Sequence, residues 1–163
     1  MKNILLLSDT HSYIDDKIIK YAKQADEVWH AGDIGDISVA DELEKTGVFR
    51  AVYGNIDDVK VRNSYPLHNR FFCEEVEVWI THIGGYPGRY SPKIRKEIQE
   101  NPPKLFISGH SHILKVMNDK KLNLLHMNPG AIGKHGFHQK RTMLRFVIDK
   151  KQIRDLEVIE FDR

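Results

Sequence analysis

Cysteine is nearly absent from this chain of 163 residues, with Cys73 the only one. No internal disulfide can form, and neither a multi-thiolate zinc site nor a redox thiol pair can be built. Long apolar runs are missing as well: nowhere do the roughly eighteen consecutive apolar residues of a membrane span occur. The opening Met1-Lys2-Asn3-Ile4 enters a strand-like run at once, without a basic and apolar leader. Charge of one sign is lacking too. The 25 basic and 23 acidic residues leave a net +2, which gives no general electrostatic reason to bind nucleic acid or an anionic membrane. No basic stripe interleaved with aromatics is present, which disfavours a nuclease of single strands. Low-complexity tracts, long linkers and internal repeats are also missing. These absences predict one domain over residues 1–163, cytoplasmic and in a reducing compartment.

What is present is an alternation of short apolar runs with helical patterns. Ile4 to Leu7, Val28 to His30, Val48 to Tyr53, Val76 to Ile80 and Leu105 to Ile107 read as buried strands. Between the first three, Ile14 to Lys23 and Ile37 to Thr46 carry apolar residues at helical spacing, and Gly47 offers a stop. Strands alternating with helices of about ten residues predict parallel pairing through crossover helices. Phe71 to Cys73 and Val76 to Ile80 around Glu74-Glu75 predict a hairpin. Ser91 with Pro92 predicts a capped helix running to Glu100. Leu114 to Asn118, Leu122 to His126, Met143 to Ile148 and Ile153 to Ile159 predict a carboxyl-terminal β-meander. The expected fold is α/β, with two mixed sheets packed face to face and helices outside.

Five polar clusters each stand where an apolar run stops: Asp9-Thr10-His11, Gly32-Asp33, Gly54-Asn55, His82 behind Thr81, and Gly109-His110-Ser111-His112. In open α/β sheets, ligands bind beyond the carboxyl ends of strands. Carboxylate, imidazole and amide oxygen suit divalent manganese, iron, nickel or zinc. One ion open to substrate needs about three protein ligands, whereas Asp9, His11, Asp33, Asn55, His82, His110 and His112 are seven. Two ions are therefore expected, and about 3.5 to 4 Å apart they would suit an in-line phosphoryl displacement.

The ordered set D-x-H, G-D, G-N, lone H and G-H-x-H resembles the calcineurin-like metallophosphoesterases, in particular their small prokaryotic phosphodiesterase branch, over nearly all of the chain. The resemblance implies a four-layer α/β/β/α sandwich with a dinuclear metal site at the strand ends. It implies that Asp9, His11, Asp33 and His112 hold a first metal and that Asp33, Asn55, His82 and His110 hold a second, with Asp33 bridging. The activity implied is hydrolysis of a small phosphodiester by a metal-bridging hydroxide, with Mn2+ as the expected ion and Asn55 and His110 placing the phosphoryl oxygens. The same fold also serves as a retromer scaffold subunit with altered ligands, so a binding protein is the alternative.

Two departures bear on chemistry. Larger members carry a histidine after Gly-Asn that protonates the leaving group, and here Ile56 stands there, followed by Asp57. Activated aryl esters should therefore be cleaved better than alkyl esters. After His82, Ile83 interrupts the usual run, and Gly84-Gly85-Tyr86-Pro87-Gly88-Arg89 is expected to shape substrate choice. Ala131 replaces a common serine after Asn128-Pro129-Gly130. In the basic stretch from Gly133 to Arg141 the two readings are a solvated loop and a phosphate clamp by Lys134 or Arg141. His30, His68, His126, His135 and His138 read as surface or satisfied core residues, with His30 and His126 candidates for orienting a ligand.

Overall fold

The structure is a computed structural model that describes all residues, Met1–Arg163. In chain order its elements are β1 (Lys2–Leu7), α1 (Asp16–Gln24), β2 (Glu27–His30), α2 (Ile37–Glu44), β3 (Val48–Ala51), α3 (Val59–Ser64), β4 (His68–Cys73), β5 (Val76–Thr81), β6 (Gly85–Tyr86), β7 (Arg89–Tyr90), α4 (Arg95–Glu100), β8 (Leu105–Ile107), β9 (Leu114–Asp119), β10 (Leu124–Pro129), β11 (Lys140–Asp149) and β12 (Gln152–Asp162). One sheet has the order β12-β11-β1-β2-β3 and the other β4-β5-β8-β10-β9. Parallel pairs β1 with β2 and β2 with β3 form the centre of the first, and β5 with β8 and β8 with β10 the centre of the second. Antiparallel strands β11 and β12 extend the first on one side, with β3 at its other edge, whereas β4 and β9 flank the second on both sides.

Strand periodicity sets the layers. Ile4 and Leu6 of β1 face the second sheet, where they pack with Val78, Ile80 and Ile107, while Leu5 and Leu7 face Ile18 and Ala22 of α1. A strand buried on both faces has to be apolar throughout, which is why β1 reads as a continuous run. On the far side of the second sheet, Trp79 and Phe106 pack under Ile94 and Ile98 of the α4 region. The result is the expected α/β/β/α order. No helix is long and apolar enough to cross a membrane.

Several expected elements differ in the structure. The first helix starts two residues later than the apolar spacing suggests, because Asp15 caps it by accepting from the Ile18 amide at 2.9 Å. The third strand ends at Ala51, since the backbone must turn to present Gly54-Asn55. Helix α3 was not expected; its six residues are too few for a periodic signal, and Asp58 caps it. Ser91 does not cap α4: the helix starts only at Arg95, with Ile94 at the N-cap and no side-chain cap, and Ser91 lies in the preceding turn, where its carbonyl accepts from the Ile94 and Arg95 amides at 3.0 Å. The expected carboxyl-terminal meander is wrong. Strands β9 and β10 close the second sheet, while β11 and β12 belong to the first. Each hairpin is local, but the segment between β10 and β11 crosses between sheets, and strand patterning carries no information on which sheet a hairpin joins.

Phe146 sits between the sheets, 2% exposed, with its ring 5.9 Å from that of Trp29. Phe146→Ala should cost about 3 to 5 kcal/mol, read as a lowered urea midpoint with unchanged slope.

Candidate metal centre

The five clusters meet at one edge of the sandwich because β1, β2 and β3 of one sheet and β5 and β8 of the other all end there. The loops leave the strands abruptly. Asp9, His11, Asp33, His110 and His112 all have positive φ, between 44° and 69°, a left-handed conformation. For residues other than glycine this costs about 1 to 2 kcal/mol each, and such strain collects at functional sites. Close approach also requires glycine. A Cβ on Gly54 would stand 2.1 Å from Asp33 Oδ1, and one on Gly109 would stand 2.3 Å from Ser8 Oγ and 2.9 Å from Asp9 Oδ2.

Two groups of donors result, Asp9 with His11 and His112, and Asp33 with His82 and His110; within each, one donor atom per residue lies within 4.8 Å of the others. Asp9 Oδ2 accepts from Ser8 Oγ and from the His110 amide, which aims Oδ1 at His112 Nε2 at 3.1 Å and His11 Nε2 at 3.7 Å. Asp33 Oδ1 accepts from the Ile56 amide, leaving Oδ2 3.4 Å from His11 Nε2 and 3.1 Å from His82 Nε2. Asp33 thus faces one histidine of each group. His82 donates from Nδ1 to the Ala31 carbonyl at 2.7 Å, so its Nε2 is the nitrogen left to bind. Asn55 Oδ1 lies 3.1 Å from His110 Nδ1, which brings the seventh residue to the second group.

The electrostatics follow from two buried carboxylates. Burial alone would raise Asp9, but His11 and His112, with His82 and Ser8 behind them, outweigh it and hold the carboxyl well below the usual carboxylate range. Asp33 is opposed by burial in the same way and is held low by His11 and His82. In return, the neighbouring carboxylates of Asp33 and then Asp9 raise His11 to about 9. Asp9 Oδ1, His11 Nε2 and His82 Nε2 are buried without a hydrogen-bond partner. Buried acceptors facing one another without donors fit a bound cation, and the donor set is one that first-row divalent ions accept.

Supporting residues were largely hidden in the sequence. Asp57 accepts from the amides of Gly54 at 2.8 Å, Ile34 at 3.1 Å and Gly35 at 2.8 Å, pinning the Asp33 loop to the Asn55 loop. An aspartate three positions after Gly54 was the available signal. His30 touches none of the seven donor side chains and instead braces the loops between them: the Gly32 amide donates to Nδ1 at 3.0 Å, so Nε2 carries the proton and donates to Thr10 Oγ1 at 3.0 Å, which donates to the Ile34 carbonyl. Asn128 donates to the Gly109 carbonyl and to Ser111 Oγ. Lys134 and Arg141 are not a phosphate clamp. Arg141 is 4% exposed and donates to the Ile132 carbonyl and Asp15, while Lys134 lies over the Tyr13 ring at 4.7 Å. The same loop brings two other histidines to the mouth, His135 stacked on His11 at 4.8 Å and His138 edge-on to His112 at 5.3 Å.

Comparison with known proteins shows the family and the fold. The family model described as "Calcineurin-like phosphoesterase superfamily domain" matches residues 1–151, and the chain belongs to that family. A probable metallophosphoesterase from Methanothermobacter thermautotrophicus is 27% identical over 133 residues, covering 77% of this chain and 74% of the relative. Among solved structures, a novel archaeal phosphodiesterase superposes with TM-score 0.71 at 21% identity, over 96% of this chain and 99% of that one. Zinc-complexed Vps29 from Entamoeba histolytica superposes with TM-score 0.74 at 12% identity, over 98% of both chains. At these identities the structural likeness concerns the fold.

Two predictions follow from the buried groups. Burial holds His30 down to about 3 and His126 to about 4, so below pH 6.5 the unfolded chain binds more protons and stability falls. For His30 alone the loss by pH 4 is on the order of 3 kcal/mol. His11 has the opposite sign: its contribution is complete below pH 6.5 and is lost as pH rises towards about 9. Chelator-treated protein should therefore melt highest near neutrality, and a melting temperature flat from pH 4 to 9 would contradict this. Asp57→Asn, which turns an amide donor towards backbone donors, should weaken Mn2+ binding by about 10- to 100-fold in calorimetry.

Proposed function

We propose that the protein is a phosphodiesterase that works with two divalent metal ions. The carrying observation is the pair of donor groups with Asp33 Oδ2 between them and their unpartnered buried atoms. Asp9, His11, His112 and Asp33 would hold one ion; Asp33, Asn55, His82 and His110 the other. Such ions supply Lewis acidity and bring the pKa of a water towards about 7, which makes a nucleophile available at neutral pH. Manganese is the ion of choice for the first assay, and iron, nickel and zinc suit the same donors.

The chain's own residues then bind and orient. The cleft over the donors has a volume of about 560 Å3 and is open enough for a small diester. Asn55 and His110 are exposed at its mouth, where the Asn55 amide Nδ2 and the His110 ring can place phosphoryl oxygens. Ile56 is 46% exposed in the same cleft and offers no proton to a departing alkoxide. A leaving group that is already a weak base loses least by that. The single cysteine is a buried free thiol, in keeping with a cytoplasmic location.

Hydrolysis of bis(p-nitrophenyl) phosphate with added Mn2+ tests the reading. Asp33→Ala and His112→Ala should lower kcat/KM by more than the roughly 10- to 100-fold that loss of an outer-shell partner costs. Metal uptake with no turnover would instead assign the chain to the scaffold class. Saturating Mn2+ at about 100 times Kd should add about 2.7 kcal/mol of stability, read as a higher melting temperature that Asp33→Ala abolishes.

A further inference from the structure

Beside the donor cleft lies a second cavity of about 370 Å3, and the two share His110, Ser111 and Ile113. Through that shared wall, one ester arm of a diester held at the donors has a path into it. Its outer wall is the β6–β7 hairpin carrying Tyr86, the ring of which is covered by Lys115 Nζ at 4.2 Å. Ile83 and Ile113 are 45% and 64% exposed on its rim. The hairpin is held in place: Ser108 Oγ donates to the Gly85 carbonyl at 3.0 Å, the Ser91 amide to Gly84 at 3.0 Å, and Tyr90 Oη to Asp119 at 2.7 Å. A wall fixed in advance loses little freedom when a ligand enters.

The polar groups of this cavity are few and specific. His126 Nδ1 lies 3.1 Å from the Phe106 carbonyl, which can only accept, so Nδ1 carries the proton. Nε2 is then a lone-pair acceptor with no partner in the protein, and burial keeps the ring neutral by holding it down to about 4. Ser111 Oγ already accepts from the Ile113 amide and from Asn128, so its own proton is free. The cavity thus offers the His126 acceptor, the Ser111 donor, the unpaired Ser91 hydroxyl, an aromatic ring, apolar rims and a cation. A planar heterocycle with an N–H donor and a carbonyl or ring-nitrogen acceptor matches that set, and bases are bound on aromatic faces and through such edges.

We propose that this cavity seats the nucleoside part of the substrate, so that the substrate class is a phosphodiester with one ester arm belonging to a nucleoside. This rests on the phosphodiesterase reading above. Tyr86, Ile83 and Ile113 flank the base, His126 Nε2 and Ser111 Oγ read its edge, and Lys115 attracts the anionic diester to the rim. A bare alkyl arm leaves the cavity unfilled.

The test holds the leaving group constant. The methyl, phenyl and thymidine-5′ esters of p-nitrophenyl phosphate all release p-nitrophenolate, so differences in kcat/KM report the retained arm. The nucleoside ester should exceed the phenyl ester by about tenfold or more, the equivalent of one stacked base, and the methyl ester by more. Tyr86→Ala, on an exposed hairpin, should bring the nucleoside-to-methyl ratio towards one with an unchanged melting temperature. Equal rates for nucleoside and methyl esters overturn the inference, and equal rates for nucleoside and phenyl esters reduce the cavity to an aryl slot. A second readout needs no turnover: thymidine 5′-monophosphate added to metal-free protein should shift the Tyr86 and His126 ring resonances. If no ester is hydrolysed although metal binds, the phosphodiesterase reading fails, and the resonance shifts still decide for or against the nucleoside site.

Discussion

Two aspartates, 0% and 3% exposed, are held close together at one edge of this molecule, and that arrangement costs free energy unless positive charge accompanies it. In the metal-free state the compensation is protonic: His11 and His82 are pushed upward by the carboxylates they face. The same field attracts divalent cations, and ligating imidazoles give up their protons when a metal binds. Most other features of the site keep this unfavourable arrangement from relaxing. Asp57 ties two loops through three amides and His30 and Thr10 tie a third, around five donors set on left-handed backbone.

The sandwich bears that strain because its core is continuous. The inter-sheet cluster runs from Ile4 and Leu6 through Val78 and Ile107 to Phe146, and the helical layers bury the opposite faces. Parallel strands from both sheets end at one edge, so five loops converge there with backbone amides and carbonyls free to orient side chains. Strand ends, not helix faces, carry the donors. Rigid strands a few residues away limit how far any donor can move.

On the proposed function, the parts of the chain that would select a substrate differ from those that hold the donors. Where a histidine could have stood, Ile56 removes a proton donor from the mouth of the cleft, and the β6–β7 hairpin, with Tyr86 set against Lys115, builds a neighbouring wall. The basic loop after Gly133 contributes rings, with its cations turned elsewhere. His135 and His138 pack on ligand histidines while Arg141 faces Asp15. Of the two readings of that loop, the anion clamp finds no support, because Arg141 is bound to the Ile132 carbonyl and Asp15 and Lys134 lies over the Tyr13 ring.

Much was legible in the linear chain because strand and ligand signals are local. Continuous apolar runs such as Leu5 to Leu7 mark strands buried on both faces, and each donor motif follows its strand within a few residues, so the edge where the clusters meet could be foreseen. Hairpin β4–β5 was legible for the same reason. The sheet that β11 and β12 join, the three-residue grip of Asp57, the tautomer of His30 and the cavity behind His110 were decided only by tertiary structure. Apart from the short-range Gly32–His30 and Gly54–Asp57 contacts, these depend on residues about 20 or more positions apart, where periodicity and motif spacing carry no signal and only the packed geometry selects the partner.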